Sequence, residues 1–506
     1  MSTLLVRIKN GPWLLPVIVS VNLLAILSFR HFVSLDGPMH LLHTSVLLDS
    51  WTGHPRAAAG FTVDTDALDL NLGDLPLIAL MGHVHPFLLH KLLAVLAITT
   101  VCMGAWLLAR AFSPVLNAAW SLVLPFAFGF VLVLGVFHFV VGAGIALGLC
   151  GWWVSRRAIR WRQLALLLLG TALGTFAHRT GGLLALLLIG TQEIFAYWSD
   201  RVSWYGRWSA LPARTPFALA TIVFLIGVVL VAVGFATPVV HPHMEHHPVE
   251  ELFTMRQILL VDREAEEPYR IALGVLLVAL LALSVRSRMR TRTPRTGDAL
   301  LAMALVLFLL SMIRTARTEL HYATDRAQWL GFVLVACWIG IQDLPRWMMP
   351  MMLVAILYVH GLRLNLLEQW MHRLADEDAA ALDIAASFTA GELVMPLVLD
   401  EDWLARHRTA YTAIGHHGIL FTPRDHLRFR SLRPLDPEVR RYLASPDDDA
   451  DNVLEHVRDG RFPVPERIVV IGGGGDEGKE RLMTELLGER YVPSGGTGYA
   501  RSWRRR

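Results

Sequence analysis

Residues 114–154 contain no Asp, Glu, Lys or Arg across 41 residues. A helix needs about 20 apolar residues to cross the hydrocarbon core of a bilayer. The segment is therefore long enough for two helices, and the sequence Gly-Val-Phe-His at 135–138 offers a turn between them. We predict a membrane protein that crosses the bilayer more than once.

The same search along the rest of the chain predicts eleven membrane spans. The composition agrees, because 54% of the 506 residues are hydrophobic and 18% are charged, against about 45–50% and about 25% in soluble globular proteins. The three cysteines all lie in apolar runs and indicate no disulfide framework. The predicted spans are residues 12–30, 86–109, 115–135, 138–154, 163–178, 180–198, 216–237, 269–285, 299–313, 327–342 and 347–361.

The charges between the spans predict how the chain is oriented. Arginine clusters such as those at 156–162 and 286–295 recur in alternate loops, and an excess of Lys and Arg is typical of cytoplasmic loops. The opposite loops, 31–85 and 238–268, are rich in acidic residues and histidine. We therefore predict a cytoplasmic N-terminus and, because the number of spans is odd, an extracytoplasmic C-terminus.

The expected fold has two parts. Residues 1–361 are predicted to form an all-α polytopic membrane domain of about 11 transmembrane helices, with a large external loop at 31–85. Residues 362–506 are more polar and are predicted to form a C-terminal extracytoplasmic α/β domain. In that domain LADEDAAALDIAASF has the pattern of an amphipathic helix, and ELVMPLVLD and ERIVVIG have the pattern of short strands.

An acidic residue, Asp36, ends the first apolar run and is followed by Gly-Pro. Proline suits the first turn of a helix, so we predict a helix over 38–50 with His40 and His43 three residues apart on one face. An acid and two imidazoles would then meet at the outer membrane surface. The alternative is that Asp36 only caps the helix, as Asp often does, and that the histidines pack at the interface.

Three segments of the chain resemble the GT-C superfamily, integral membrane glycosyltransferases that use polyprenyl-phosphate-linked sugars. DGPMHLLH is similar to the family's Asp-Gly-Pro element, whose acidic residue lies between the first span and the first external loop. GVFHFVVGAGIALGL resembles the family's aromatic, Gly-rich hairpin span. GTFAHRTGGLLALLL resembles its short span with a histidine at the outer end. As architecture, the resemblance covers residues 10–360.

The resemblance implies a bacterial inner-membrane enzyme in which Asp36 is the general base for an acceptor hydroxyl. Glycosidases need a second carboxyl group, as an acid, because their leaving groups are poor. A phosphate leaves without that help, so one base and cationic groups near the phosphate would be enough. The implied partners are a lipid-linked sugar donor and membrane lipids, with no nucleic acid.

Several other residues are predicted to bind substrate. His40 and His43 follow Asp36, and the guanidinium group of arginine matches phosphate oxygens well. The alternative for each arginine is that it anchors the end of a span by extending its charge into the interface. The candidate phosphate partners are His178, Arg179, Arg317 and Arg326.

Two polar motifs remain. In HPHMEHH, His241, His243 and His246 are candidate ligands for a divalent cation (Mg, Mn or Zn), and the alternative is a solvated loop. The segment Gly473–Lys479 matches the first part of a phosphate-binding loop. That loop needs Ser or Thr next, to hold Mg²⁺, and this chain has Glu480. We therefore expect no nucleotide there.

Two other functions compete with the transferase. A transporter or flippase would bury ionisable groups inside its spans and would have broken helices, whereas the predicted span interiors are nearly free of charge. A non-catalytic membrane assembly protein would need no special role for Asp36.

Overall fold

A computed structural model of the chain describes most of its residues. The described residues are 14–53, 61–63, 74–209, 248–258, 261–290, 295–312, 323–389, 391–398, 403–414, 419–420, 432–434, 465–472, 481, 484–485, 487–488, 490–496 and 500–506. Several predicted features lie outside these residues and stay predictions. They are the span at 216–237, the metal ligands His241, His243 and His246, the phosphate partner Arg317, and the segment Gly473–Lys479.

The described chain is mostly helical. Its α-helices are α1 (Leu14–Ser28), α2 (Gly37–Thr52), α3 (Asp74–Leu80), α4 (Pro86–Phe112), α5 (Val123–Ala127), α6 (Phe130–Val133), α7 (Phe137–Val154), α8 (Trp161–Ala177), α9 (Arg179–Ser199), α10 (Arg201–Trp208), α11 (Pro248–Phe253), α12 (Arg263–Met289), α13 (Ala299–Ser311), α14 (Ala323–Gly340) and α15 (Met348–Ala385). Short 3₁₀ helices cover Ala118–Leu122, Arg256–Ile258, Thr296–Asp298 and Trp403–Thr412.

Of the described helices, five are long and apolar enough to cross a membrane, namely α4, α7, α9, α12 and α15. Three shorter apolar helical segments, Leu14–Ser28, Ala118–Val133 and Thr296–Ser311, fall below that length. These findings support a multi-pass membrane protein, whereas the predicted count of eleven spans stays a prediction.

The span predicted at 115–135 is wrong as a single helix. The chain there forms a 3₁₀ turn followed by α5 and α6, with an interruption at Phe128 and Gly129. A Cβ atom at Gly129 would lie 2.4 Å from the Gln257 carbonyl oxygen, so only glycine allows this approach. Residues 119–134 are all buried, which is the condition under which broken helices are tolerated at membrane depth.

Side chains from other helices bind the carbonyl groups around this interruption. Arg363 donates from Nη2 to the Phe128 carbonyl (2.7 Å) and from Nη1 to the Pro125 carbonyl (3.4 Å). Trp329 Nε1 donates to the Phe126 carbonyl at 2.8 Å. A buried carbonyl without a partner costs free energy, so these donors explain how the interrupted segment can be stable.

The chain divides into two compact units. One comprises Met1–Ser28 and Ala94–Glu368, and the other comprises Phe29–Leu93 and Gln369–Arg506. The first is a helical unit, in which glycines such as Gly104 and Gly144 allow neighbouring helices to approach closely. The predicted domain boundary after residue 361 falls inside α15, which continues to Ala385 as one helix.

The second unit contains a five-stranded sheet in the order β3 (Ile419–Leu420), β2 (Leu393–Val398), β5 (Arg467–Ile471), β7 (Ala500–Arg505) and β6 (Tyr491–Gly496). The strands predicted in ELVMPLVLD and ERIVVIG are confirmed as β2 and β5, which pair in parallel. Strand β7 is antiparallel to both β5 and β6. The end of α15 packs Ala381 and Ile384 against Val394 and Val469 of the sheet.

A separate two-stranded pairing joins distant parts of the second unit. Strand β1 (Phe61–Val63), from the predicted external loop, is antiparallel to β4 (Leu432–Pro434), from the C-terminal region. The loop after α1 and the C-terminal region therefore belong to one folded unit.

Candidate active site

Asp36 lies directly before α2, in the second unit. The predicted helix over 38–50 is confirmed as Gly37–Thr52, with proline in its first turn. Among the residues that the structure describes, the first turn of α2 receives no capping hydrogen bond from the Asp36 side chain. The backbone of Asp36 is itself nearly helical (φ −90°, ψ −12°), whereas a capping residue usually has a β-region backbone.

The carboxylate of Asp36 instead lies beside His407, a residue that the sequence analysis did not identify. His407 Nε2 is 3.6 Å from Asp36 Oδ1. The His407 side chain is 2% exposed and the Asp36 side chain 13% exposed. A carboxylate with a buried imidazole behind it and partial access to solvent can accept a proton from a bound hydroxyl group.

A buried hydrogen-bond chain fixes the turn that contains Asp36. Tyr411 Oη is 2.6 Å from His90 Nδ1, and His90 Nε2 is 2.7 Å from Ser34 Oγ. Ser34 Oγ also accepts from the Gly37 backbone N–H at 3.2 Å. Burial raises the pKa of Tyr411 well above its usual value, and the nearby Asp378 carboxylate adds to the shift. Tyr411 therefore keeps its proton throughout the neutral range.

A buried arginine, Arg408, holds the 3₁₀ helix that carries His407. Arg408 donates to Asp378 Oδ1 (2.5 Å), to Glu377 Oε2 (2.8 Å) and to the Leu374 carbonyl (2.7 Å). Burial alone would lower the pKa of Arg408, but the two carboxylates outweigh it and raise the pKa above its usual range. Arg408 is therefore a permanent cation bound to the end of α15.

His31, a neutral ring, lies beside the same Asp378 carboxylate that Arg408 binds. Its Nε2 lies 3.1 Å from Asp378 Oδ2, and its ring stacks on Phe87 with the centroids 3.8 Å apart. Burial lowers the pKa of His31, and the Asp378 carboxylate offsets only part of that shift. A neutral His31 leaves the charge of Asp378 to be balanced by Arg408.

The two histidines predicted beside Asp36 are both on α2. His43 is buried, with 3% of its surface exposed, and His40 is half-buried. Their spacing of three residues within one helix is as predicted. Their role in substrate binding stays a prediction.

The other predicted substrate residues belong to the first unit. The structure brings His178 and Arg326 onto one aromatic ring: the Arg326 guanidinium is 5.2 Å from the Phe139 centroid, and the His178 ring meets Phe139 edge-on at 5.6 Å. His178 also caps α9, since its Nδ1 accepts from the Thr180 backbone N–H at 3.3 Å. Arg179 is exposed. The capping contact gives His178 a structural role whether or not it binds phosphate.

Comparison with known proteins identifies the fold. No protein-family model matches the chain, and no curated protein matches its sequence. Among solved structures, the chain is similar to the crystal structure of ArnT from Cupriavidus metallidurans bound to undecaprenyl phosphate. The TM-score is 0.53 at 12% sequence identity, over 97% of this chain and 97% of that chain. ArnT is a GT-C family glycosyltransferase. The chain therefore has a GT-C-like fold, as the sequence predicted.

Proposed function

We propose that this chain, which has a GT-C-like fold, is an inner-membrane glycosyltransferase that moves a sugar from a polyprenyl-phosphate donor to an acceptor on the extracytoplasmic face. The observation that carries the proposal is the position of Asp36. The carboxylate lies at the start of the helix after α1, in contact with a buried imidazole and partly open to solvent.

The proposed reaction needs one base. Asp36 accepts the proton of an acceptor hydroxyl, the hydroxyl oxygen attacks the anomeric carbon of the sugar, and the bond from that carbon to the phosphate oxygen breaks. Polyprenyl phosphate leaves with the bonding electrons, and the proton stays on Asp36 until water removes it. General bases of this kind contribute about 10²- to 10⁴-fold to a rate.

The donor class is proposed from the comparison. The similar ArnT structure is bound to undecaprenyl phosphate, and a polyprenyl phosphate is the product that this mechanism releases. His178, Arg179 and Arg326 stay the predicted phosphate partners, and His40 and His43 stay predicted substrate contacts. The eleven-span count, the cytoplasmic N-terminus and the extracytoplasmic C-terminus belong to the same proposal.

One observation favours the alternative of a transporter. Three charged residues in or beside the predicted spans are buried: Glu193 lies within 180–198, whereas Glu266 and Arg363 lie just outside 269–285 and 347–361. Transporters also use broken helices, as found at 118–133. However, Arg363 is bonded to the carbonyl groups at the interruption and lies 3.7 Å from Glu266. Glu193 accepts from three tryptophan side chains and Arg207. These contacts are typical of structural charges, so the transferase is favoured.

The test compares the glycans and glycolipids of four strains by mass spectrometry: native, deleted, and deleted strains rescued with Asp36→Asn or Asp376→Asn. Asp376 is the control, a carboxylate of the same unit whose side chain is 60% exposed. We expect a sugar to be missing in the deletion and with Asp36→Asn, and to be present with Asp376→Asn, at matched membrane abundance. If Asp36→Asn restores the sugar fully, Asp36 is not the base. If the deletion changes no glycan, and the purified protein in liposomes moves labelled lipid across the bilayer, the transporter replaces the transferase.

A further inference from the structure

His407 contacts Asp36 although it comes from the C-terminal region of the chain. The 3.6 Å between His407 Nε2 and Asp36 Oδ1 is longer than a hydrogen bond and is a charge-contact distance. Hydrogen bonds that serve catalysis are often long in a free enzyme and shorten when the substrate binds. His407 Nε2 therefore lies close enough to form a hydrogen bond with the Asp36 carboxylate after a small shift.

We infer that His407 is a positioning residue for Asp36, an inference that rests on the proposed function because it requires Asp36 to be the base. The imidazole binds Oδ1 and fixes the rotamer of the side chain. The second oxygen, Oδ2, is then left to receive the proton of the acceptor hydroxyl. A displacement of about 1 Å at a reacting group can lower a rate about 10²-fold, which sets the scale of the expected effect.

The surroundings of His407 give it the rigidity that positioning requires. The next residue, Arg408, is bound to Asp378 and Glu377 of α15. One turn later, Tyr411 bonds to His90, which bonds to Ser34 just before Asp36. The 3₁₀ helix is thus attached to the Asp36 turn and to α15, and both attachments are buried. A side chain whose position is fixed in this way can fix the position of a neighbouring functional side chain.

A purely structural role would not explain why this position carries an imidazole. A buried polar ring costs free energy unless its nitrogens interact with other polar groups, and Asp36 is such a group. A packing residue could be any ring of similar size. Replacing the imidazole with a ring that has no nitrogens therefore distinguishes the positioning role from a packing role.

The test uses six variants in membrane vesicles with matched abundance of the protein, two of which are Asp36→Asn alone and together with His407→Ala. His407→Ala removes the ring, His407→Gln keeps an N–H donor, and His407→Phe keeps a ring without nitrogens. His372→Ala is the matched control, because His372 is an exposed histidine on α15. The probe is the radiolabelled lipid-linked sugar fraction of the native strain, and the readout is the initial rate at which label leaves that fraction.

If His407 positions Asp36, His407→Ala and His407→Phe lower the maximal rate about 10- to 100-fold, with little change in the apparent KM. His407→Gln recovers most of the rate, and the control is unchanged. The double variant Asp36→Asn/His407→Ala is no slower than Asp36→Asn, because a positioning residue has no effect once the base is gone. A normal rate for His407→Phe, or an additive loss in the double variant, would overturn the inference.

The two proposals fail in different ways. If Asp36→Asn is inactive while His407→Phe has the native rate, the base stands and the positioning role is rejected. If Asp36→Asn has the native rate, both proposals are rejected together. Where His407→Ala fails to accumulate in the membrane, the comparison of Gln with Phe decides the question alone.

Discussion

Gly37 follows Asp36 directly, and the space around its Cα is filled by side chains of the same unit. A Cβ atom at this position would lie 2.1 Å from His90 Nε2 and 2.4 Å from Ser34 Oγ. We expect Gly37→Ala to push His90 away from Ser34 and to lower the free energy of unfolding by about 1–3 kcal/mol. The displaced turn should also reduce transfer activity. Thermal unfolding of the detergent-purified protein and the vesicle transfer rate measure the two effects.

Gly361 provides the control for this substitution. It lies in α15, and among the described residues nothing would come within 4 Å of a Cβ atom added there. Alanine favours a helix over glycine by about 1 kcal/mol, so Gly361→Ala should be neutral or slightly stabilising. Equal unfolding temperatures for the Gly37 and Gly361 variants would show that the Gly37 contacts do not matter.

At the residue scale, the sequence predicts only the local half of the site. Asp36, His40 and His43 stand close together in the chain, so a helix with the right spacing could be predicted from Gly-Pro and the histidines alone. His407 and Tyr411 approach this helix from the C-terminal region, and no local pattern can pair residues that far apart in the chain. Buried histidine and tyrosine in a 3₁₀ helix have no periodic signature that distinguishes them from core residues.

At the scale of elements, Arg363 connects α15 to the interrupted segment α5–α6. We expect Arg363→Met to leave the Pro125 and Phe128 carbonyls without this donor and to remove the cation that lies 3.7 Å from Glu266. Removing one partner of a buried ion pair costs about 3–5 kcal/mol, and the variant should unfold at a lower temperature. Adding Glu266→Gln should recover part of the loss. A variant of native stability would mean that the charge serves a function other than folding.

The same elements show where prediction from composition fails. Pro125 and Gly129 interrupt the apolar run at 115–135, but an apolar run with two helix breakers still has the hydropathy of a span. The end of α15 shows the opposite case. No Pro or Gly stands between residues 362 and 385, so the last predicted span and the amphipathic helix after it form one helix. Hydropathy marks where a chain is apolar, but it does not by itself show where a helix ends.

At the scale of the whole molecule, the membrane fold could be predicted because few architectures suit so apolar a chain. The bilayer imposes helices of similar length on any sequence that spans it, and the likeness to ArnT at 12% identity shows how little sequence the fold requires. The orientation of the later loops depends on which of the shorter apolar segments cross the bilayer, and Ala118–Val133 is one of them. The segment Ala118–Val133 would extend roughly 24 Å as a helix, less than the hydrocarbon core of about 30 Å. Whether it counts as a span decides on which side every later loop lies.

Labelling of single cysteines tests this orientation. The native cysteines Cys102, Cys150 and Cys337 are all buried, so an impermeant maleimide should label the native chain weakly. Arg157 lies in the exposed turn between α7 and α8, and Arg506 is exposed at the C-terminus. If 118–133 crosses the membrane, Arg157→Cys is cytoplasmic and reacts only after permeabilisation. With eleven spans, Arg506→Cys reacts in intact spheroplasts.

The possible results separate the two parts of the topology. Labelling of Arg157→Cys in intact spheroplasts would mean that the interrupted segment enters the membrane without crossing it. The proposed orientation of all later loops would then be inverted. If Arg157→Cys behaves as predicted but Arg506→Cys is not labelled in intact spheroplasts, the first four spans stand and the total number of spans must be even. The proposed function requires an external C-terminal region, because transfer on the outer face needs Asp36 and its neighbour His407 on that side of the membrane.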